Sequence, residues 1–512
     1  MTFDAGSGMG EQALDDAGSW SPSPSVRAAS TVARNAFFLV IGQVTTTALA
    51  IVLNAALGRF LGAADFGVYY LITTMCAFAY VFVEGGQPFY VVGEVAKRPA
   101  RAGEMLGTAL PLRTAVTVLV AAAAWIVAWV LHFDARSRVL GVLLILASLP
   151  LCLAQAFGMV FRGSDRMGLD AAISVSNKIL LLLFTVPLLA LGAGLSGVIG
   201  AGALAGVAAL VVAAVLYRRL RSTRLRPSYR AAHELVAGGA PMLAMAAVVS
   251  VQPYLDAIVL SWLAPPTVLG WFGAARNILG TLIAPATILG AAAYTRLARA
   301  SGDDGEFRQE VGWCLRAMLW LGALGALGTY VFAAPAIVSI YGEAFSPAAT
   351  ILRAFAPGFF LLFIDMLLAM AIYARGRIMV LVIAKTLSVA VGVGLNFLLV
   401  PWFQAHGGNG AVGVVVGFAL SEFIVFGGAV LALPRGTLGW QSLIEIARAV
   451  LTAGAVLALL RLAPPLPPWI GVPLCVAAFT AASRLTGLLR TEDVALLKAA
   501  LKQRLTAQRG VA

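Results

Sequence analysis

Fourteen stretches of about twenty mostly apolar residues, joined by short loops, run through almost the whole chain. A helix of roughly 20 apolar residues crosses a bilayer core, and it satisfies its own backbone hydrogen bonds where water is absent. Hydrophobic residues are 61% of the 512 and charged residues only 12%, which is too apolar for a soluble fold of this size. The chain is expected to be an all-α polytopic membrane protein with about 14 transmembrane helices. The spans read as 35–58, 68–92, 105–131, 139–161, 169–192, 197–217, 235–262, 268–293, 311–333, 351–373, 378–400, 411–433, 443–460 and 469–487.

The net charge of +13 reports topology rather than nucleic acid. With the N-terminus on the cytoplasmic side, about 24 of the 36 Lys and Arg are cytoplasmic, four are outside and eight lie within spans. Such a bias sets both termini inside. The outside set is Arg59, Arg136, Arg138 and Arg461. Residues 1–34, with Asp4, Glu11, Asp15, Asp16 and a Ser/Pro run, have no apolar core and read as a disordered cytosolic tail. The last residues, 488–512, carry Val494, Leu497, Leu501 and Leu505 at helical spacing, with basic residues between them. They read as an amphipathic helix, either on anionic lipid or free in the cytosol. Cys76, Cys152, Cys314 and Cys475 fall inside spans, as small core residues without a disulfide framework. Three histidines, none at metal-ligand spacing, imply no metal site.

A shift of 203 residues lays the chain partly on itself. Leu57 falls on Leu260, Gly67 on Gly270 and Arg113 on Arg316, and at a shift of 207 Lys178 falls on Lys385. Each unit holds six spans, an even number, so both units enter the membrane in one orientation. Parallel repeats are related by an axis along the membrane normal, with the cargo path between them. The expected organisation is an N-lobe at 35–217, a basic linker at 218–234, a C-lobe at 235–433, and two further spans at 434–487.

Charges inside spans cost at least ~2.5–3.5 kcal/mol each on insertion scales and need a reason. Arg316, Arg353, Arg448 and Arg484 lie near enough to span ends to snorkel. Arg113, Lys178, Arg276 and Lys385 lie deeper. As a set they suit a cationic cavity for an anionic headgroup such as a diphosphate, because Arg and Lys give phosphate oxygens short, charge-assisted hydrogen bonds. Snorkelling and structural ion pairs are the plainer alternative. The acids within spans are Glu84, Asp256, Asp365 and Glu422, candidates for coupling or gating. Asp256 and Arg276 reach similar depth in neighbouring antiparallel spans and are expected to pair. Glu84 precedes Gly85, Gly86, Gln87 and Pro88, which loosen a helix where a transporter would bend. Gln43, Asn54, Gln155, Asn177, Gln252 and Asn277 either line a wet path or hold helix to helix.

No Walker A loop or HExxH occurs, and Gly192, Gly194 and Gly197 match GxGxxG only between two spans. A transporter without cofactor, rather than an enzyme, is expected, with energy from an ion gradient, the membrane potential or the cargo's own gradient.

Four segments carry a family resemblance: LGRFLGAADFGVYYL (57–71), DAIVLSWLAPPTVLGWFGAARNI (256–278), YGEAFSPAATILRAF (341–355) and LNFLLVPWFQAHGGNGAVGVVVG (395–417). In this order they resemble the bacterial polysaccharide biosynthesis membrane proteins, the Wzx-like flippases for lipid-linked oligosaccharides. The resemblance covers most of 35–433; Pro265, Pro266 and the last two spans depart from it. It implies a two-lobed transporter of the multidrug/oligosaccharidyl-lipid/polysaccharide exporter superfamily in the bacterial inner membrane. The implied cargo is an undecaprenyl-diphosphate-linked glycan moved by alternating access, and Arg276 stands in the matching motif. The implied partners are that anionic lipid-linked substrate, membrane lipid, and polysaccharide polymerase or export machinery, with no nucleic acid. A drug/cation antiporter of the same superfamily and a membrane glycan polymerase or ligase are the competing readings.

Overall fold

The computed structural model describes residues 24–220, 224–462 and 467–490. The N-terminal acidic run, the expected C-terminal amphipathic helix from Thr491 and Arg221 of the basic linker lie outside the described residues. Among the described residues the regular structure is helical. The helices are α1 (Pro24–Glu84), α2 (Gln87–Lys97), α3 (Ala102–Val130), α4 (Ala135–Ala147), α5 (Leu149–Gly163), α6 (Met167–Ala190) and α7 (Gly194–Arg219). They continue as α8 (Tyr229–Leu263), α9 (Pro266–Leu282), α10 (Ala284–Arg299), α11 (Asp304–Val331), α12 (Ala333–Tyr341) and α13 (Ala348–Ala374). The last four are α14 (Ile378–Gly407), α15 (Ala411–Ala432), α16 (Trp440–Leu462) and α17 (Pro468–Leu485).

Thirteen helical stretches are long and apolar enough to cross a membrane. The first, Ile41–Lys97, is 57 residues, about twice a crossing, and it breaks at Gly62, where φ is 71° and ψ 174°. Taken as two crossings it brings the total to the fourteen expected. The left-handed φ is open to glycine because no Cβ meets the carbonyl. Two further crossings are bent pairs: α4 with α5, and α9 with α10. In each pair the second helix starts with a proline in its first turn, where a missing N–H costs nothing.

One boundary differs from expectation. The first helix begins at Pro24, inside the segment read as a disordered tail. Proline suits a first helical turn, and the Ala and Arg that follow are good helix formers, so the helix continues past the apolar span. Hydropathy marks where lipid ends, not where a helix does. At the start of α11, Asp303 caps the helix by accepting from the amides of Gly305 and Glu306 at 2.7 and 2.8 Å. Those amide contacts, Glu306 first, hold its carboxyl below the usual range.

Glycines set how closely helices from the two halves approach. A Cβ on Gly67 would stand 2.0 Å from the Pro266 carbonyl oxygen, and one on Gly270 would stand 2.0 Å from that of Ala63. The contact is reciprocal: the shift of 203 that lays Gly67 on Gly270 also lays Ala63 on Pro266. A second close approach joins Gly86 and Gly239: a Cβ on Gly86 would stand 2.1 Å from the Gly239 carbonyl oxygen, and one on Gly239 would stand 2.1 Å from that of Gly85. Between these two points α8 changes neighbours. Its first half packs on α2 and α3, with Glu234 accepting from Arg101 at 2.8 Å. Its second half packs on α14, with Asp256 accepting from Asn396 at 2.8 Å.

On the side of the Gly62 break, the short helix α12 sits against α1. Arg59 donates to the carbonyls of Ser339 and Ile340 at 2.5 and 3.2 Å, so a cation caps the negative end of α12. Phe66 meets Tyr341 and Phe345 edge-on, both at 5.5 Å. All four cysteines are buried and free. Large apolar side chains such as Leu398, Trp402 and Leu431 are exposed on the outside of the bundle, as a lipid-facing surface requires.

Candidate substrate cavity and its charged wall

Three membrane-embedded charges meet at one point. Lys385 of α14 places Nζ 2.8 Å from Asp365 Oδ2 of α13 and 2.8 Å from Glu422 Oε2 of α15. The Glu422 side chain is 2% exposed and that of Asp365 12%. Two carboxylates share one ammonium, leaving one excess negative charge. The outer oxygens, Asp365 Oδ1 and Glu422 Oε1, are buried without a hydrogen-bond partner. Buried orphan acceptors call for a proton, a water or a cation.

This trio forms one wall of a cavity of about 440 Å³. The remaining wall is largely apolar, with Met242, Met366, Met370, Phe359 and Phe418, and Arg276 and Gln252 supply further polar groups. Arg276 lies 5.8 Å from the centres of the Phe355 and Phe418 rings. No described carboxylate comes within 4.0 Å of it, so the expected Asp256–Arg276 ion pair is not made. Asp256 turns to Asn396 instead. Equal depth on neighbouring helices brought the two charges close without bringing them into a direct ion pair.

Arg276 also lines a second hollow, of about 300 Å³. Its walls are Asn54, Tyr69, Tyr70, Thr73, Thr74, Tyr254 and Asn277, a set rich in hydroxyl and amide groups. One guanidinium thus stands between a mainly apolar chamber and a polar one. Of the polar residues proposed for a wet path, Asn54, Gln252 and Asn277 line these hollows. Gln43 instead donates to Thr47 at 3.3 Å, Asn177 is buried in α6, and Gln155 is exposed on α5.

The four deep cations do not form one site. Arg276 and Lys385 share the larger cavity; Arg113 and Lys178 do not join them. Arg113 is wholly buried among α2, α3 and α5. It donates to Gln87 Oε1 at 3.0 Å, the Cys152 carbonyl at 2.8 Å and Met159 Sδ at 3.4 Å. Lys178 is half-buried on α6 with no ion-pair partner among the described residues. Depth can be counted along a sequence, whereas helix rotation depends on which face the neighbours cover.

Arg113 is therefore expected to act in stability. Arg113→Lys keeps the charge but loses the guanidinium fork, and should destabilise the protein by about 1–3 kcal/mol in chemical denaturation. Transport per folded molecule should stay at the wild-type level; a selective transport defect would return Arg113 to the cargo path.

Glu84 ends α1, where Gly85 and Gly86 both take left-handed φ, at 56° and 71°. The loosened helix is thus a complete break. Glu84 is half-buried, with no hydrogen bond or ion pair among the described residues.

The Asp365–Lys385–Glu422 trio was not read as one cluster from sequence, though a signal existed. Asp365 lies nine residues before Ala374, Lys385 seven after Ile378, and Glu422 ten before Ala432. At 1.5 Å per residue these are similar depths of about 10–15 Å on one membrane side. A second cluster gave no such signal: Arg101 donates to Glu94, Glu104 and Glu234 at 2.6, 3.1 and 2.8 Å.

Broken helices around cavities with embedded charges define a multi-pass helical membrane protein. The fold is shared with solved proteins of the MOP superfamily. A lipid II flippase MurJ in an inward closed conformation superposes with a TM-score of 0.69 at 12% identity, covering 90% of this chain and 99% of that one. An inward-facing multidrug resistance MATE family transporter gives 0.61 at 14%, covering 79% and 95%. The Vibrio cholerae MATE transporter VcmN, as its D35N mutant, gives 0.55 at 15%, covering 80% and 98%. No curated protein sequence matches the chain significantly. The model of the polysaccharide biosynthesis protein family matches residues 32–300, more than half of the chain, and the chain belongs to that family.

Proposed function

We propose that the chain is a flippase that carries an undecaprenyl-diphosphate-linked oligosaccharide across the bacterial inner membrane, with both termini cytoplasmic. The observation that carries this reading is Arg276. A guanidinium without a carboxylate partner, set between an apolar and a polar chamber, suits a cargo that is itself lipid, diphosphate and sugar in series. The diphosphate takes charge-assisted hydrogen bonds from the guanidinium, and loading it gives a direct counter-charge to an embedded cation that has no direct ion pair. Membership of a polysaccharide biosynthesis family and the MurJ-like fold support the cargo class. An N-lobe (spans 1–6) and a C-lobe (spans 7–12) rocking about their shared axis would expose Arg276 to each side in turn.

In the same reading Asp365 and Glu422 hold the coupling proton or cation, and Lys385 passes between them and the cargo. A bound phosphate attracts Lys385 away from its carboxylates, which then take up a cation in its place. Such competition gives the cargo differential affinity for the two states, as a conformational shift requires. Glu84 and Asp256, the other acids proposed for gating, are assigned to helix ends and interfaces rather than to this exchange.

Arg276→Gln tests the reading. Loss of one charged hydrogen-bond group removes about 1.5–3 kcal/mol of binding, so export of glycan should fall at least about tenfold with normal protein levels. Lipid-linked units should accumulate on the cytoplasmic leaflet. The Met- and Phe-rich wall beside buried carboxylates also fits lipophilic cations, which favours a drug antiporter as the second reading. An unchanged glycan pool together with new drug sensitivity in the deletion strain would select that one.

A further inference from the structure

The two halves of the chain face each other again beyond the Gly67–Gly270 crossing. The shift of 203 that lays Gly67 on Gly270 also lays Thr73 on Arg276 and Thr74 on Asn277. Seven residues are about two helical turns, so Thr74 and Asn277 stand on the same helix faces as the touching glycines. The polar hollow of about 300 Å³ opens there, and all four of these residues line it. Its two sides are unlike. From α1 come hydroxyl groups, and from α9 a guanidinium and an amide.

The hollow holds unused hydrogen-bonding capacity. The hydroxyls of Tyr69 and Tyr254 have no hydrogen-bond partner among the described residues. Asn277 Nδ2 meets Asn54 Oδ1 only at 3.5 Å, the far limit of a hydrogen bond, so each amide keeps groups to offer. Among the described residues no carboxylate lines the hollow, and Arg276 is its one charged lining residue. Its volume is at the low end for a small-ligand site, enough for one sugar ring and not for a chain of them.

We propose that this hollow reads the sugar joined directly to the diphosphate, and that it selects an uncharged pyranose. The inference rests on the flippase reading above and adds which part of the glycan is recognised, and by what. With Arg276 on the phosphates, the next ring along the cargo would fall among the tyrosines, Asn54, Thr74 and Asn277. Tyrosine offers an apolar ring with a polar tip, which matches a pyranose with its C–H faces and hydroxyl rim. A sugar carboxylate would enter without a second cation to meet it, and a sugar ammonium would lie beside Arg276 without an acid. Burying either charge unpaired is costly. Because the walls come from both halves, rocking of the lobes would change the contacts of the sugar. The sugar then has differential affinity for the two states, which a conformational shift requires.

The test is equilibrium binding to the purified full chain in detergent, read by native mass spectrometry. The probes are farnesyl diphosphate, and the same lipid carrying N-acetylglucosamine or glucuronate on its outer phosphate. Wild type should bind the N-acetylglucosamine form roughly tenfold more tightly than either of the others, as a few uncharged hydrogen bonds provide. Thr74→Val with Tyr254→Phe removes two hydroxyls and nearly keeps both shapes. It should bring the N-acetylglucosamine form close to bare farnesyl diphosphate, whose own binding reports that the variant is folded. Arg276→Gln should weaken all three together. Equal binding of the three probes by wild type, or a sugar preference that survives in the hydroxyl variant, overturns the inference. Loss of all three in Arg276→Gln would then leave the flippase reading standing. Tightest binding of the glucuronate form overturns the uncharged class. If wild type binds none of the three, the flippase reading fails and takes the inference with it.

Discussion

Lys385→Met should destabilise the protein by about 3–5 kcal/mol, the cost of leaving buried charge without its partner. The ammonium is the one cation within 4.0 Å of both Asp365 and Glu422 among the described residues. Without it the two carboxylates must repel across a largely dry wall or take up a proton. The triple change Asp365→Asn, Lys385→Met, Glu422→Gln removes all three charges together, and should recover most of the stability, since an uncharged replacement of a buried ion group is often neutral or better. The denaturant midpoint of each variant in detergent measures the first effect. Glycan export by the folded triple variant measures the second. If the trio is only a structural tie, the triple variant will export normally. If it couples transport to an ion, the triple variant will be stable and inactive, and export will no longer respond to the ion gradient. Equal stability of the single and triple variants would contradict the charge argument itself.

Gly67→Val should be the most damaging change at the interface between the two halves of the chain. Its Cβ would fall 2.0 Å from the backbone oxygen of Pro266, and a backbone atom cannot swing aside as a long side chain can. Overpacking of this kind costs about 1–3 kcal/mol, occasionally more, and here it acts on α1 and α9 where they cross. The expected result is a lower unfolding temperature and loss of transport, with Gly270→Val behaving alike because the contact is reciprocal. Gly93→Val is the control, since a Cβ there meets nothing within 4 Å. Similar losses at Gly67 and Gly93 would mean that helix propensity, not the close approach, governs both.

The recurrence of Gly67 at Gly270 was legible as a repeat but not as a contact. Once the helices are assembled, each glycine faces the backbone around the other. A residue on the repeat axis meets its own counterpart, so sequence matching finds it without revealing its use. Lys178 and Lys385 show the opposite outcome. They match in the repeat, yet Lys385 holds two carboxylates while Lys178 holds none among the described residues. The acids that distinguish them, Asp365 and Glu422, stand only in the second half.

By itself the sequence determined that this chain holds many helices long and apolar enough to cross a membrane, and which ionisable groups lie deep within them. Apolar run length and loop charge act locally, and the bilayer imposes them on each segment separately. Only the tertiary structure decided that Asp256 bonds to Asn396 and makes no direct ion pair with Arg276, that Arg113 is sealed against Gln87, and that Asp365, Lys385 and Glu422 form one wall. Those outcomes depend on the rotation of each helix about its axis. Packing against several neighbours at once sets that rotation, and it leaves little trace in any single span.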